Sequence, residues 1–231
     1  MPTDLGQTTS IDIIRQHLTL DGRRVLDIGC GTMTFSRILA AEGARVLALE
    51  PDPARAEANR AADAPATIEF REAGAAQLPA EDASADGAFF SFSLHHVPAA
   101  DHAAALAEVR RVVRPDGFLC VIEPASGPLN DIMRVYDDED AVRAAAQESL
   151  VVHARPQFAR HLAFTYHSEI RYASFEDYAA RHGGARLNAD RPAARALRAR
   201  TAEVFERTAR AVAPDLAFAS PKRMDLFLGS G

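Results

Sequence analysis

VLDIGCGTM, residues 25–33, decides how the rest of the chain is read. β-favouring apolar residues run into an acid, two glycines alternate with small residues, and the helical pattern TFSRILAAEG follows. That order predicts strand, tight turn, helix. A ligand can lie on such a turn. Gly29 and Gly31 let the main chain come close to it, the helix starting near Thr34 aims free N–H groups at the same spot, and Asp27 supplies one negative charge. A carboxylate at the mouth of the turn would repel the pyrophosphate of a dinucleotide but attract an ammonium or a sulfonium. The run also lacks the third glycine of GxGxxG, with Thr34 in its place.

On Asp27, Gly29 and Gly31 the chain resembles the class I S-adenosylmethionine (SAM)-dependent methyltransferases, whose first motif is usually written DxGxGxG. Met33 stands where the third glycine is expected, near the amino-acid end of the cofactor, where its side chain would narrow the pocket, tilt the helix or weaken binding. The resemblance implies an α/β fold: a Rossmann-like, doubly wound seven-stranded sheet, mostly parallel with an antiparallel last strand. It also implies SAM as cofactor and S-adenosylhomocysteine as product.

Composition bounds the alternatives. With 231 residues, 48% of them hydrophobic, the chain suits one large α/β domain, residues 1–231. A formal net charge of −6 argues against a nucleic-acid backbone as partner. Cys30 and Cys120 fall in no metal or redox spacing and read as free thiols of a reducing compartment. The expected strand order keeps them one strand apart, too far for a bridge. MPTDLGQTTS has no leader pattern, and no stretch approaches the roughly 20 apolar residues of a membrane span, so a cytoplasmic protein is expected.

Working outward, SIDIIRQHL (10–18) is a short amphipathic helix capped by Thr9 or Ser10. Its shortness leaves little N-terminal lid, which is compatible with a homodimer sharing pocket walls. RVLAL (45–49) is the second strand and ends in Glu50, Pro51, Asp52, Pro53. An acid about 20 residues past the glycine turn is placed to accept ribose hydroxyls, and Glu50 is that acid. Asp52 caps the next helix with Pro53 at its first position. After the third strand (67–71), many relatives carry an acid for the adenine amino group. Here Gly74, Ala75 and Ala76 fill the loop, so main-chain and apolar contacts would hold adenine, with Gln77 as a polar neighbour. DGAFFSF (86–92) lacks alternation, as in a strand covered on both faces. It delivers Ser91, Ser93, His95 and His96 to the carboxyl edge.

The run SFSLHHVPAADHAAALAEVRRVVRPDGFLCVIEP closely resembles the subgroup acting on small molecules, which includes the quinone biosynthesis C-methyltransferases. Asp101 is expected to cap its helix, Pro115 to Gly117 to turn the chain, and Phe118 to Ile122 to form the fifth strand. The resemblance covers residues 20–125 and thins beyond. Leu129 to Leu150 reads as a helix or helix pair, 163–172 as the sixth strand, 175–216 as a helical insertion and 222–228 as the last strand. The cofactor residues that the resemblance implies are Asp27, Gly29, Cys30, Gly31, Glu50, Pro51, Ala75, Ala76, Gln77 and Ser91.

Methyl transfer from a sulfonium asks a protein to align an acceptor and, where needed, to remove its proton. His95 and His96 are the candidate catalytic residues, because imidazole titrates in the useful range; a structural capping role is the alternative, and nothing in the sequence chooses between the two histidines. Glu123 could orient an amine or hydroxyl. His153, His161 and His167 have spacings too irregular for a metal centre, and none is expected. The arginines at 181, 186, 191, 195, 198, 200, 207 and 210 read as solvated helix faces. SFSL at the fourth strand differs from the Asn or Asp, Pro, Pro, aromatic tetrad of DNA-adenine and glutamine methyltransferases. The expected function is therefore transfer of methyl to an O, N, S or C atom of a small molecule. A SAM-binding protein without transfer activity, suggested by Met33 and by the missing acid of the adenine loop, and a nicotinamide-dependent oxidoreductase are the alternatives.

Overall fold

The computed structural model describes residues 1–230. In chain order the elements are β1 (Thr3–Gln7), α1 (Ser10–His17), β2 (Arg24–Ile28), α2 (Thr34–Ala41), β3 (Arg45–Leu49), α3 (Pro53–Ala61), β4 (Ile68–Arg71), β5 (Ala85–Ser91), α4 (His102–Val112) and β6 (Val113–Pro124). There follow α5 (Pro128–Met133), α6 (Asp140–Ser149), β7 (Arg160–Tyr172), α7 (Phe175–His182), α8 (Gly184–Asn188), α9 (Pro192–Thr208), β8 (Arg210–Val212) and β9 (Asp215–Leu228).

The strands form one mixed sheet in the order β1-β7-β9-β6-β5-β2-β3-β4, with β8 paired to β9. Strands β2 to β6 run parallel to one another, and β9 inserts antiparallel between β6 and β7. This is the expected doubly wound sheet, with two additions. Residues 3–7 add a parallel edge strand against β7, and β9 begins at Asp215 rather than Lys222, pairing along its first residues with β8. The helical insertion accordingly ends at Thr208. Pro115 to Gly117 form an irregularity inside β6 instead of a separate turn, the register jumping from Ala85–Val113 to Gly87–Phe118.

Two layers of helices cover the sheet, because the central strands are apolar on both sides. In β5 Phe90 packs with Leu106, Val109 and Val112 of α4, while Phe89 faces the opposite cluster with Ile13 and Ile14 of α1 and Leu39 of α2. A third cluster of Tyr172, Tyr178, Phe205 and Phe218, with Leu129 and Ile132, seats α5, α7 and α9 beside the sheet. Local signals set the helix starts: Thr9, Asp52 and Ser174 each accept an amide of the first turn. Asp101 precedes α4 without a side-chain cap bond. Cys30, in the turn after β2, and Cys120, in β6, are buried free thiols, and β5 lies between those two strands. Among the described residues no helix is long and apolar enough to cross a membrane.

Candidate active site

The carboxyl edge of the parallel strands opens into a cavity of about 810 Å³. The glycine turn forms its floor. The Gly29 and Cys30 amides both donate to the Leu49 carbonyl (2.8 Å each), pinning the turn to the end of β3. At Gly29 φ is +73° and a Cβ would stand 2.6 Å from that of Ser93, so only glycine lets the turn pass the β5 tip. Gly31 (φ +57°) has open space where its Cβ would project, leaving backbone exposed to whatever occupies the cavity.

Met33 corrects an expectation. It adopts φ 59°, the left-handed conformation that explains a glycine at this motif position, but its side chain is fully buried in the core against α1 and α2 and does not line the cavity. It neither narrows nor blocks the site.

Glu50 lies at the tip of β3 in the cavity wall. One carboxylate oxygen accepts from the Gly31 amide (2.8 Å) and the other from the Asp52 amide (3.1 Å), so its direction is set by the main chain. Asn59 of α3, which the sequence reading passed over, donates to the Gly31 carbonyl at 2.8 Å and braces the same turn. Pro51, Ala75, Ala76 and Ser91 line the cavity with Gly29, Cys30 and Gly31, whereas Gln77 is exposed and outside the wall.

Asp27 is also outside the wall. It is fully buried beneath the turn, where one oxygen accepts from the Ser36 hydroxyl (2.5 Å) and Oδ1 has no donor. Burial raises its pKa to about 6, against the hydrogen bonding of Ser36, and the charge of Glu50 adds to the rise.

The two histidines separate. His95 is buried outside the cavity wall, its Nδ1 paired with Glu123 Oε2, while Glu123 Oε1 accepts the amides of Leu94 (3.0 Å) and His95 (3.2 Å). His96 stands in the wall, partly open to solvent, with its ring 4.0 Å from that of His95. Burial, then the neighbouring His95, lowers the His96 pKa below the ordinary imidazole value. Glu139 lies 3.8 Å from His95 Nε2 and 3.9 Å from His96 Nδ1, but Arg143 already pairs with it at 2.5 Å, so the group reads as an ion-pair network. His161 is spent on Asp225 (2.8 Å).

Sequence reasoning missed the far wall of the cavity. Ser10, Tyr166, Ser168 and Lys222 supply polar groups there, and Ile38 and Phe92 supply exposed apolar surface, Phe92 with φ 56°. No local pattern marks these positions.

Residues 26–121 match the family model described as methyltransferase domain. This segment resembles a methyltransferase domain. It contains the glycine turn, Glu50, Ser91 and both histidines. The chain is 36% identical over 143 residues to the demethylmenaquinone methyltransferase of Mycobacterium sp. strain KMS, covering 62% of this chain and 59% of that one. It is 34% identical over 122 residues to the malonyl-acyl-carrier-protein O-methyltransferase of Serratia marcescens, covering 53% and 46%. The chain thus spans about half the length of the curated relatives it matches. In three dimensions it resembles a Bacillus halodurans C-125 protein assigned as a methyltransferase, with a TM-score of 0.62 at 17% identity over 96% of this chain and 100% of that one. That likeness is one of fold and extends past the segment matched by the family model.

Proposed function

We propose that the protein transfers the methyl group of SAM to a nucleophilic O, N, S or C atom of a small molecule. The observation that carries this reading is Glu50, a carboxylate oriented by two backbone amides at the tip of β3, in a roomy cavity floored by a glycine turn. A carboxylate there suits the paired hydroxyls of a ribose. Ala73, Gly74, Ala75 and Ala76 offer a small-residue wall that an adenine ring can lie against. Asp27, with a buried oxygen lacking a donor, places negative potential beneath the turn and fits a cationic ligand above it. The donor set therefore fits an adenosyl sulfonium and offers little to a pyrophosphate.

Bound SAM supplies an electrophilic methyl, whose bond to sulfur breaks with its electron pair going to sulfur as the bond to the acceptor forms. The protein's part is alignment and proton removal. His96, in the wall and held neutral at pH 7 by its lowered pKa, accepts the acceptor's proton. His95, fixed by Glu123 and outside the wall, acts as a positioning residue for His96. The alternative of a SAM binder without transfer activity rested on Met33 and on the missing acid of the adenine loop; the burial of Met33 in the core removes the first of these grounds.

Calorimetric titration with SAM, S-adenosylhomocysteine and NADH tests the reading. Binding of both adenosyl ligands, lost in Glu50→Ala, with none of NADH is the expected result. NADH binding, or adenosyl binding indifferent to Glu50, overturns it.

A further inference from the structure

The cavity runs along the sheet edge from β3 and β4 to β7 and β9. If the adenosyl group lies by Glu50 and Ala73 to Ala76, the end left for the acceptor is the wall built from α1, β7 and β9. That placement rests on the methyl-transfer reading; the chemistry of the wall does not.

Lys222 of β9 sits there, opposite Tyr166 across the β7–β9 ladder. Its Nζ donates to Ser168 Oγ (2.5 Å), the Ser220 carbonyl (2.9 Å) and Ser220 Oγ (3.2 Å), all neutral oxygens. No carboxylate lies within ion-pair distance of it among the described residues, whereas the arginines at 181, 186, 195, 198 and 210 each have an acidic partner. A half-buried cation facing a cavity without a counter-charge leaves net positive potential in a place of reduced dielectric. Burial lowers its pKa, as expected for a cation that lacks its anion. Ser168 Oγ, while accepting from Lys222, keeps its own hydroxyl proton to donate, and it too lines the cavity. Beside it the Tyr166 and Ser10 hydroxyls are hydrogen-bonded at 2.6 Å.

We infer that Lys222 and Ser168 form an oxyanion subsite, so that the acceptor carries a carboxylate or a phenolate at this end of the cavity. The cation supplies the charge and the serine hydroxyl the direction. Arg55, the other unpaired cation of the wall, is exposed at the opposite end, near Glu50.

The test uses the full chain saturated with S-adenosylhomocysteine, and the probes are benzoate, benzamide, 4-nitrophenol and 4-nitroanisole. The wild type should bind benzoate and 4-nitrophenolate roughly ten- to a hundredfold more tightly than their neutral counterparts, the range of a charge-assisted hydrogen bond. The absorbance of bound 4-nitrophenol should show its ionisation displaced to lower pH. Lys222→Met should abolish both effects while S-adenosylhomocysteine binding persists, Lys222→Arg should restore them in part, and Ser168→Ala should weaken them. Preference for benzoate alone assigns a carboxylate, and preference for the phenolate alone a phenol. Equal binding of charged and neutral probes by the wild type, or discrimination unchanged in Lys222→Met, overturns the subsite and makes Lys222 a clasp between β9 and β7. If S-adenosylhomocysteine itself fails to bind, the methyl-transfer reading falls, and the same panel run on the ligand-free chain still decides the subsite.

Discussion

Met33 combines a backbone conformation suited to glycine with a side chain the core uses. Left-handed φ costs an ordinary residue about 1 kcal/mol, and removing a buried methionine side chain costs about 2 to 5 kcal/mol. Met33→Gly should therefore lower stability in a denaturant titration while leaving S-adenosylhomocysteine affinity unchanged, because the residue does not touch the cavity. Asp27 carries the opposite tension, a charge held where it is poorly solvated. Its carboxyl ionises near pH 6 in the folded protein and near pH 4 in the unfolded chain, so the unfolded chain loses its proton first as pH rises. Stability from this group is full below about pH 4, declines as pH rises to about 6, and stays reduced above that, the total being about 3 kcal/mol. Asp27→Asn should lack this slope, so that it appears in the stability difference between variant and wild type, and should stabilise the ligand-free protein at pH 7, read by denaturant melts across pH 3 to 8.

At the scale of elements, the end of β5 and the end of β6 are tied by one side chain. Glu123 accepts the amides of Leu94 and His95 and the His95 ring, so it holds the short turn that presents His96. Glu123→Ala strands these buried donors and should cost about 3 kcal/mol or more, with hydrogen exchange rising at residues 94–97 before the central strands. Glu123→Gln keeps an oxygen for the amides and should recover most of that loss. For an acceptor that must lose a proton, the acid limb of kcat/KM should lie below the ordinary imidazole value, since burial depresses the His96 pKa, and His96→Gln should erase that limb. The sequence placed both histidines at this edge but could not tell them apart. Their difference comes from β6, whose Glu123 claims one ring and leaves the other facing the cavity.

Across the whole molecule, the sheet joins a region rich in local signals to one that has few. The aromatic cluster under α5, α7 and α9 lies apart from the glycine turn, with Phe205 fully buried at its centre. Phe205→Ala should cost about 3 to 5 kcal/mol in a thermal melt, while the Kd for S-adenosylhomocysteine of the folded protein stays within a factor of two, because no cluster member lines the cavity.

Local pattern alone determined the glycine turn, the acid after β3 and the caps at Thr9, Asp52 and Ser174, and the parallel order of the central strands came with the family resemblance those motifs carry. Each depends on neighbours within a few residues or on the short β-turn-α repeat. Tertiary structure decided the rest: that Met33 turns inward and Asp27 lies under the turn, that residues 3–7 join the sheet, and that Lys222 reaches Ser168 across the antiparallel ladder. These contacts bring together residues far apart in the chain, and the burial that selects them exists only once the sheet has closed over its two layers of helices.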